Sequence, residues 1–125
     1  MTVLIDSWAW IEYFRGSEKG KTVVPIIESD EEIIVSAINL AEVYYTTLKK
    51  KGRETAKKQR DAIEMRCRII GVDAEIATRG AEIKLERKWG LADAIILATA
   101  EIENVTLLTG DPHFKGMPNV EFLGE

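Results

Sequence analysis

A chain of 125 residues has single-domain length and can bury roughly two thirds of its unfolded surface. With a hydrophobic fraction of 46% and a charged fraction of 30%, it contains no run near the ~18 apolar residues of a membrane-spanning helix, so none is expected. The first five residues reach a charge at Asp6 before any basic or long apolar segment, unlike a secretory signal, and the expected compartment is the cytoplasm. The single cysteine, Cys67, excludes an intrachain disulfide and a cysteine-built zinc site. A formal charge of −4, from 17 basic and 21 acidic residues, argues against a polyanionic partner only on average. Seven of the cations (Lys49, Lys50, Lys51, Arg53, Lys57, Lys58 and Arg60) fall within twelve residues, opposed by Glu54 alone and followed by Arg66 and Arg68.

In chain order, Thr2 to Ile5 reads as a β-branched strand, and Ser7 is positioned to cap a helix carrying Trp8, Ile11, Tyr13 and Phe14. Residues 15–20 form a polar break. A short helix over Val23 to Ile27 tolerates Pro25 in its first turn. Ile33 to Val35 reads as a buried strand with Ser36 as the next cap. Leu40, Tyr44 and Leu48 at four-residue spacing predict a helix from about Ile38 to Lys51, stopped by Gly52, and a second helix to about Arg66 completes a basic hairpin. A third strand is expected over Cys67 to Val72. Asp73 then caps a helix that Trp89-Gly90 closes. Leu91 to Glu103 is an apolar-rich helix, Val105 to Leu108 a fourth strand and Val120 to Leu123 a fifth. Alternation of this kind predicts an α/β domain with a mostly parallel five-stranded sheet and helices on both faces.

Four carboxylates sit in or beside apolar elements. Asp6 ends the first strand, Glu42 lies between Ile38 and Tyr45 on a helix, Asp93 lies within Leu91 to Ala98, and Asp111 follows the fourth strand. An ionised carboxylate withdrawn from water costs several kcal/mol, so such a group is normally paired, neutralised or metal-bound. Taken singly, each has an ordinary reading: Asp6 or Asp93 as a helix cap, Asp111-Pro112 as a turn, Glu42 paired with a lysine. Jointly, a parallel sheet would bring them to the carboxyl edge of its strands, where ligands bind. There they would repel one another, and a hard divalent cation relieves that repulsion. An all-oxygen set suits Mg²⁺ or Mn²⁺ rather than zinc. Such ions activate water toward phosphodiesters. Without these four acids the chain carries 17 negative against 17 positive charges, and its basic hairpin can attract a phosphate backbone.

The segments Val3-Leu4-Ile5-Asp6-Ser7, Val35 to Glu42, Leu91 to Ile96 and Leu107 to Phe114, in that order and spacing, resemble the PIN-domain ribonucleases, and among them the small VapC-type toxins of prokaryotic toxin–antitoxin pairs. The resemblance implies a three-layer PIN-like domain over residues 1–125. It implies a catalytic pocket of Asp6, Glu42, Asp93 and Asp111 around Mg²⁺ or Mn²⁺, with Asp6 and Asp93 as direct ligands and Glu42 and Asp111 acting through water. Ser7 and Thr109 would hold water or a substrate phosphate by their hydroxyls, and Asn39 would bond a carboxylate or phosphate. The implied activity is endonucleolytic RNA hydrolysis leaving 5′-phosphate and 3′-hydroxyl ends. The implied partners are RNA, a second copy of the chain and a cognate antitoxin, with no membrane.

The remaining features admit two readings each. Lys49, Lys50, Arg53 and Lys57 either contact substrate phosphates or form a solvated surface. His113 is a candidate general base or a plain turn residue. Cys67 is a core hydrophobe rather than a nucleophile. The aromatic residues Trp8, Trp10, Tyr13 and Phe14 exceed what one helix face hides, so part of that surface is expected to meet a partner. Two rival functions are a non-catalytic PIN-like binding module and a Mg²⁺-binding receiver-type signalling domain. An Asp-x-Asp phosphatase fails because Trp8 occupies the second acidic position.

Overall fold

A computed structural model describes residues 2–123. The strands β1 (Thr2–Ile5), β2 (Glu32–Ser36), β3 (Arg68–Ile70), β4 (Thr106–Thr109) and β5 (Val120–Phe122) form one sheet in the order β3-β2-β1-β4-β5. All four pairings are parallel, Leu4 lying between Ile34 and Leu107. The chain winds outward from β1 to β3, then returns to the other side of β1 for β4 and β5. The reversal falls between β1 and β4, so the crevice at their carboxyl ends is the topological switch point where α/β proteins place ligands. A receiver-type sheet follows the order 2-1-3-4-5, and the observed order excludes that rival.

The period-two alternation of strand side chains divides the core into two layers. Leu4, Ile34 and Leu107 point to one face, beneath α6 (Ala74–Arg87) and α7 (Leu91–Glu103). Ile5, Ile33, Val35 and Leu108 point to the other, beneath α1 (Ser7–Arg15), α3 (Val24–Ile27), α4 (Ala37–Lys51) and α5 (Arg53–Arg66). Each of these side chains contributes roughly 1.5–3 kcal/mol by leaving water. Helix α7 is buried all round from Ala94 to Ala100, which explains its nearly continuous apolar sequence. Gly80 of α6 lets the two helices touch: a Cβ there would lie 2.8 Å from Ile95 Cγ1.

Several local expectations are corrected. The polar break contains a short helix, α2 (Glu18–Lys21), whose N-terminus Ser17 caps by accepting from the Gly20 amide at 3.0 Å. Ser7 does not cap α1. The cap position belongs to Asp6, and Ser7 is the first helical residue. The third strand is shorter than expected, because Cys67 ends α5 and only Arg68 to Ile70 pair with β2. Trp89-Gly90 does not close α6; Lys88 does so in the left-handed region (φ 59°), and Gly90, in extended backbone, starts α7. Arg66 and Arg68 leave the basic face. The Arg66 guanidinium donates to the carbonyls of Ile27 (2.6 Å), Ser29 (3.0 Å) and Glu31 (2.7 Å), tying α5 to the loop before β2. Arg68 pairs with Glu32 and Glu103.

Candidate active site

Asp6 stands at the end of β1 and is 4% exposed. Its carbonyl receives the amides of Ala9 and Trp10 and so starts α1, but its side chain makes no capping bond. The carboxylate turns into the switch-point crevice instead. There Oδ2 accepts the Thr109 hydroxyl at 2.6 Å and Oδ1 accepts the Asn39 amide at 3.1 Å. The cap reading of Asp6 is thereby replaced.

Asn39 is fully buried and links three elements. Its Oδ1 accepts the Ser36 backbone amide at 2.9 Å, closing a capping box at the start of α4, and its Nδ2 donates to Asp6 and to Ser7 Oγ (2.9 Å). The Ser7 hydroxyl passes the chain onward, donating to Glu42 Oε1 at 2.5 Å. A backbone amide at the end of β2 therefore fixes Asn39, which orients Asp6 directly and Glu42 through Ser7.

Asp93 lies in the first turn of α7, where the helix N-terminus favours negative charge. Asp111 follows β4. It is also the turn residue that Asp111-Pro112 suggests, accepting the His113 amide at 3.0 Å to start a 3₁₀ turn over Pro112–Phe114. The Thr109 hydroxyl, while donating to Asp6, accepts the Asp111 amide at 3.0 Å and couples these two acids through one oxygen. Between them Gly110 packs against the Trp8 indole, and a Cβ there would fall 2.5 Å from three ring atoms. Sequence reasoning left His113 undecided. Its Nδ1 lies 3.1 Å from Asp93 Oδ2 and 3.0 Å from Asp111 Oδ1 on an exposed ring. The signal that could have found it was its position two residues after Asp111 in a proline turn.

Electrostatics reports the crowding. Burial pushes the Asp6 carboxyl up to about 7, with the Glu42 and Asp111 charges adding to the rise and the Thr109 hydrogen bond opposing it. Burial raises Glu42 too, helped by Asp93 and Asp111 and opposed by the Ser7 hydrogen bond. It raises Asp93, helped by Asp111 and opposed by His113. No lysine or arginine forms an ion pair with any of the four acids among the described residues. Asp93, Asp111 and His113 offer ligand atoms within 4.8 Å of one another. Carboxylate oxygens that disfavour one another's charge, with neutral donors holding them and one imidazole at the rim, form a donor set that fits Mg²⁺ or Mn²⁺.

The other expected contributors fall elsewhere. Lys49, Lys50, Arg53 and Lys57 are exposed and make no ion pair among the described residues, whereas Lys58 pairs with Glu54 and Arg60 with Glu64. Lys49 is seven residues beyond Glu42 on α4, about 10 Å along the axis, so these cations flank the acids rather than join them. The aromatic residues of α1 are mostly spent in the core: Trp10 is buried and stacks with Phe14 and edge-on with Tyr13. Exposed apolar surface appears instead on α4 at Tyr45 and Leu48. Cys67 is half-buried and burial pushes its thiol up to about 12, which removes it as a nucleophile.

The PIN domain family profile matches residues 3–120. Among solved structures, the chain is similar to one from a toxin–antitoxin complex of Klebsiella pneumoniae, at 27% identity over 97% of each chain with a TM-score of 0.79. It is similar to VapBC2 of Rickettsia felis, solved on a DNA fragment from its promoter, at 25% identity over 98% of each chain with a TM-score of 0.77. It shares its fold with VapC20 of Mycobacterium tuberculosis, described as a sarcin-ricin loop cleaving toxin, at 17% identity over 83% of this chain and 85% of that one, TM-score 0.69. No curated protein sequence matches significantly. Because the family match runs from Val3 in β1 to Val120 in β5 and takes in all four acids, the chain belongs to the PIN domain family.

Proposed function

We propose that this protein is a metal-dependent endoribonuclease and the toxin of a toxin–antitoxin pair. The observation that carries the reading is the convergence of Asp6, Glu42, Asp93 and Asp111, from four separate elements, on the β1/β4 switch point, where burial and neighbouring negative charge hold the carboxyls of Asp6, Glu42 and Asp93 above their ordinary pKa. Asp6 and Asp93 would hold Mg²⁺ or Mn²⁺ directly, with Glu42 and Asp111 completing the negative lining. When bound, such an ion supplies Lewis-acid polarisation of a phosphodiester and a more acidic water nucleophile. The chain's own contribution is preorganisation. Asn39 and Thr109 hold both oxygens of Asp6, Ser7 holds Glu42, and Trp8 against Gly110 fixes the loop that presents Asp111. The Ser7 and Thr109 hydroxyls, expected to hold water or a substrate phosphate, instead donate their protons to Glu42 and Asp6, so their role here is to position those acids.

RNA is favoured as substrate by the family's nuclease chemistry and by the activity stated for the VapC20 relative. The exposed cations of the α4–α5 hairpin, Lys49, Lys50, Arg53 and Lys57, would add phosphate contacts without sequence choice. The Klebsiella pneumoniae and Rickettsia felis relatives are toxin–antitoxin assemblies, which supports an antitoxin partner here. A groove of about 520 Å³ lined by Leu40, Tyr44, Tyr45 and Leu48 offers apolar surface for that partner or for a second copy of the chain. No described helix is long and apolar enough to cross a membrane.

The test is cleavage of structured RNA with Mn²⁺, with EDTA, and by Asp6→Asn and Asp93→Asn. Metal-dependent cleavage leaving 5′-phosphate ends, lost in both variants, is expected. Cleavage that ignores chelation or survives both substitutions overturns the reading.

A further inference from the structure

We infer a single-stranded RNA subsite beside the acidic crevice, in which a base stacks on the Trp89–Arg87 platform while Lys84 and Lys88 hold the adjoining phosphates. The inference rests on the nuclease reading and adds to it where the strand departs from the cleaved bond.

Ala81, Lys84 and Leu85 follow one another at i, i+3 and i+4 on one stripe of α6; with Lys88, which ends the helix, and Trp89 they line a groove of about 540 Å³. Leu85 is 83% exposed there, and Lys84, Arg87 and Lys88 are exposed with no ion pair among the described residues. The acids of the same helix do not cancel this charge. Glu82 and Glu86 face Arg79, which also binds Glu101, on a different stripe. An apolar floor, an aromatic wall and uncompensated cations are the composition that accommodates single-stranded nucleic acid.

Placement ties the groove to the chemistry. The Trp89 ring centroid lies 6.2 Å from that of His113, whose Nδ1 contacts both Asp93 and Asp111. Phe114 supports the indole edge-on at 5.2 Å, and the Arg87 guanidinium lies 5.4 Å from the indole centroid. Lys88 accepts a left-handed backbone that a side chain rarely adopts, and Lys84 Nζ holds the Trp89 carbonyl at 3.2 Å. The turn that seats Trp89 beside the site is therefore fixed from both sides. A nucleotide neighbouring the scissile phosphate would meet an indole and a guanidinium plane, both of which stack on any base.

The experiment uses a single-stranded RNA that the wild type cleaves with Mn²⁺, and the same RNA with one abasic residue walked along it. Trp89→Ala should raise KM about 10-fold with kcat changed less than about 3-fold, and Trp89→Phe should recover most of the loss. One abasic position should raise the wild-type KM similarly yet add nothing in Trp89→Ala, the non-additivity of a shared contact. Lys84→Glu with Lys88→Asn, on exposed positions and keeping a residue tolerant of the left-handed region, should lower the salt slope of binding by about 2. If circular dichroism shows Trp89→Ala unfolded, the lysine variant decides. An active wild type whose KM, abasic dependence and salt slope are all untouched by these variants overturns the subsite and leaves the nuclease standing. A wild type that cleaves no RNA overturns both.

Discussion

The acidic crevice and the basic hairpin carry opposite charge, and the fold treats them in opposite ways. In the crevice, Asp6 is held at both oxygens, Asn39 has every polar atom engaged, and Ser7 and Thr109 each serve two partners. On the hairpin, Lys49, Lys50, Arg53 and Lys57 extend into water with no ion pair among the described residues. The difference follows from what each must do. Like charges gathered away from water need fixed neutral donors to stay in place, while cations that meet a flexible polyanion lose less by staying mobile. Order should therefore matter greatly in the first region and little in the second.

The sharpest break of that contrast is Asp6→Asn or Asp93→Asn. Each should lower Mn²⁺-dependent RNA cleavage by about 10³-fold or more, measured as initial rates on labelled RNA. Asp6→Asn should at the same time stabilise the metal-free protein at neutral pH. The folded Asp6 keeps a proton up to about pH 7 that the unfolded chain gives up near its ordinary value of 3.8. Between those values the folded state binds more protons, so metal-free stability falls as pH rises through the window, by up to about 4 kcal/mol from this group. Thermal melts in EDTA from pH 4 to 8 should show the wild type losing stability relative to Asp6→Asn, and Mn²⁺ restoring only the wild type. A pH-independent difference between the two would contradict the burial argument.

Asn39→Ala should cost about 2–3 kcal/mol by opening the capping box and leaving buried partners unpaired, read by denaturant midpoint. Cleavage should drop with it by about 10-fold to 100-fold, because Asp6 and Glu42 both lose orientation. Gly110→Ala comes next, at about 1–3 kcal/mol, since its Cβ meets the Trp8 ring. A compensating Trp8→Leu should return part of the stability if that contact is the cause. At the bottom, Lys57→Ala should leave the melting temperature unchanged and weaken RNA binding less than about 3-fold, lowering the salt slope by about 1. An effect of Lys57 as large as that of Asn39 would erase the distinction between the two regions.

The strands were legible because β-branched runs such as Ile33-Ile34-Val35 are bounded by polar residues, and the long helices because Leu40, Tyr44 and Leu48 repeat at the helical period. Short elements were less so. Four residues of α2 give no periodicity, and the closure of α6 at Lys88 depends on a left-handed turn that a lysine does not advertise. The four acids were conspicuous through the cost of placing them among apolar neighbours. His113 was not conspicuous, because a histidine in a proline turn looks the same whether its ring faces solvent or two carboxylates. Arg66 misled for the same reason: composition counted it as basic surface, and its direction made it a clamp on three carbonyls.

Residue order by itself determined the alternation of strands and helices, the two apolar faces of each central strand, and which carboxylates were too costly to be incidental. Only the tertiary structure decided that the chain reverses between β1 and β4, that Asn39 joins Asp6 to Ser7, and that Trp89 stands next to His113. The physical reason is range. Periodicity and burial cost are properties of neighbours in the chain, whereas a hydrogen bond spanning 103 residues, such as that from Thr109 to Asp6, exists only once packing has fixed both ends.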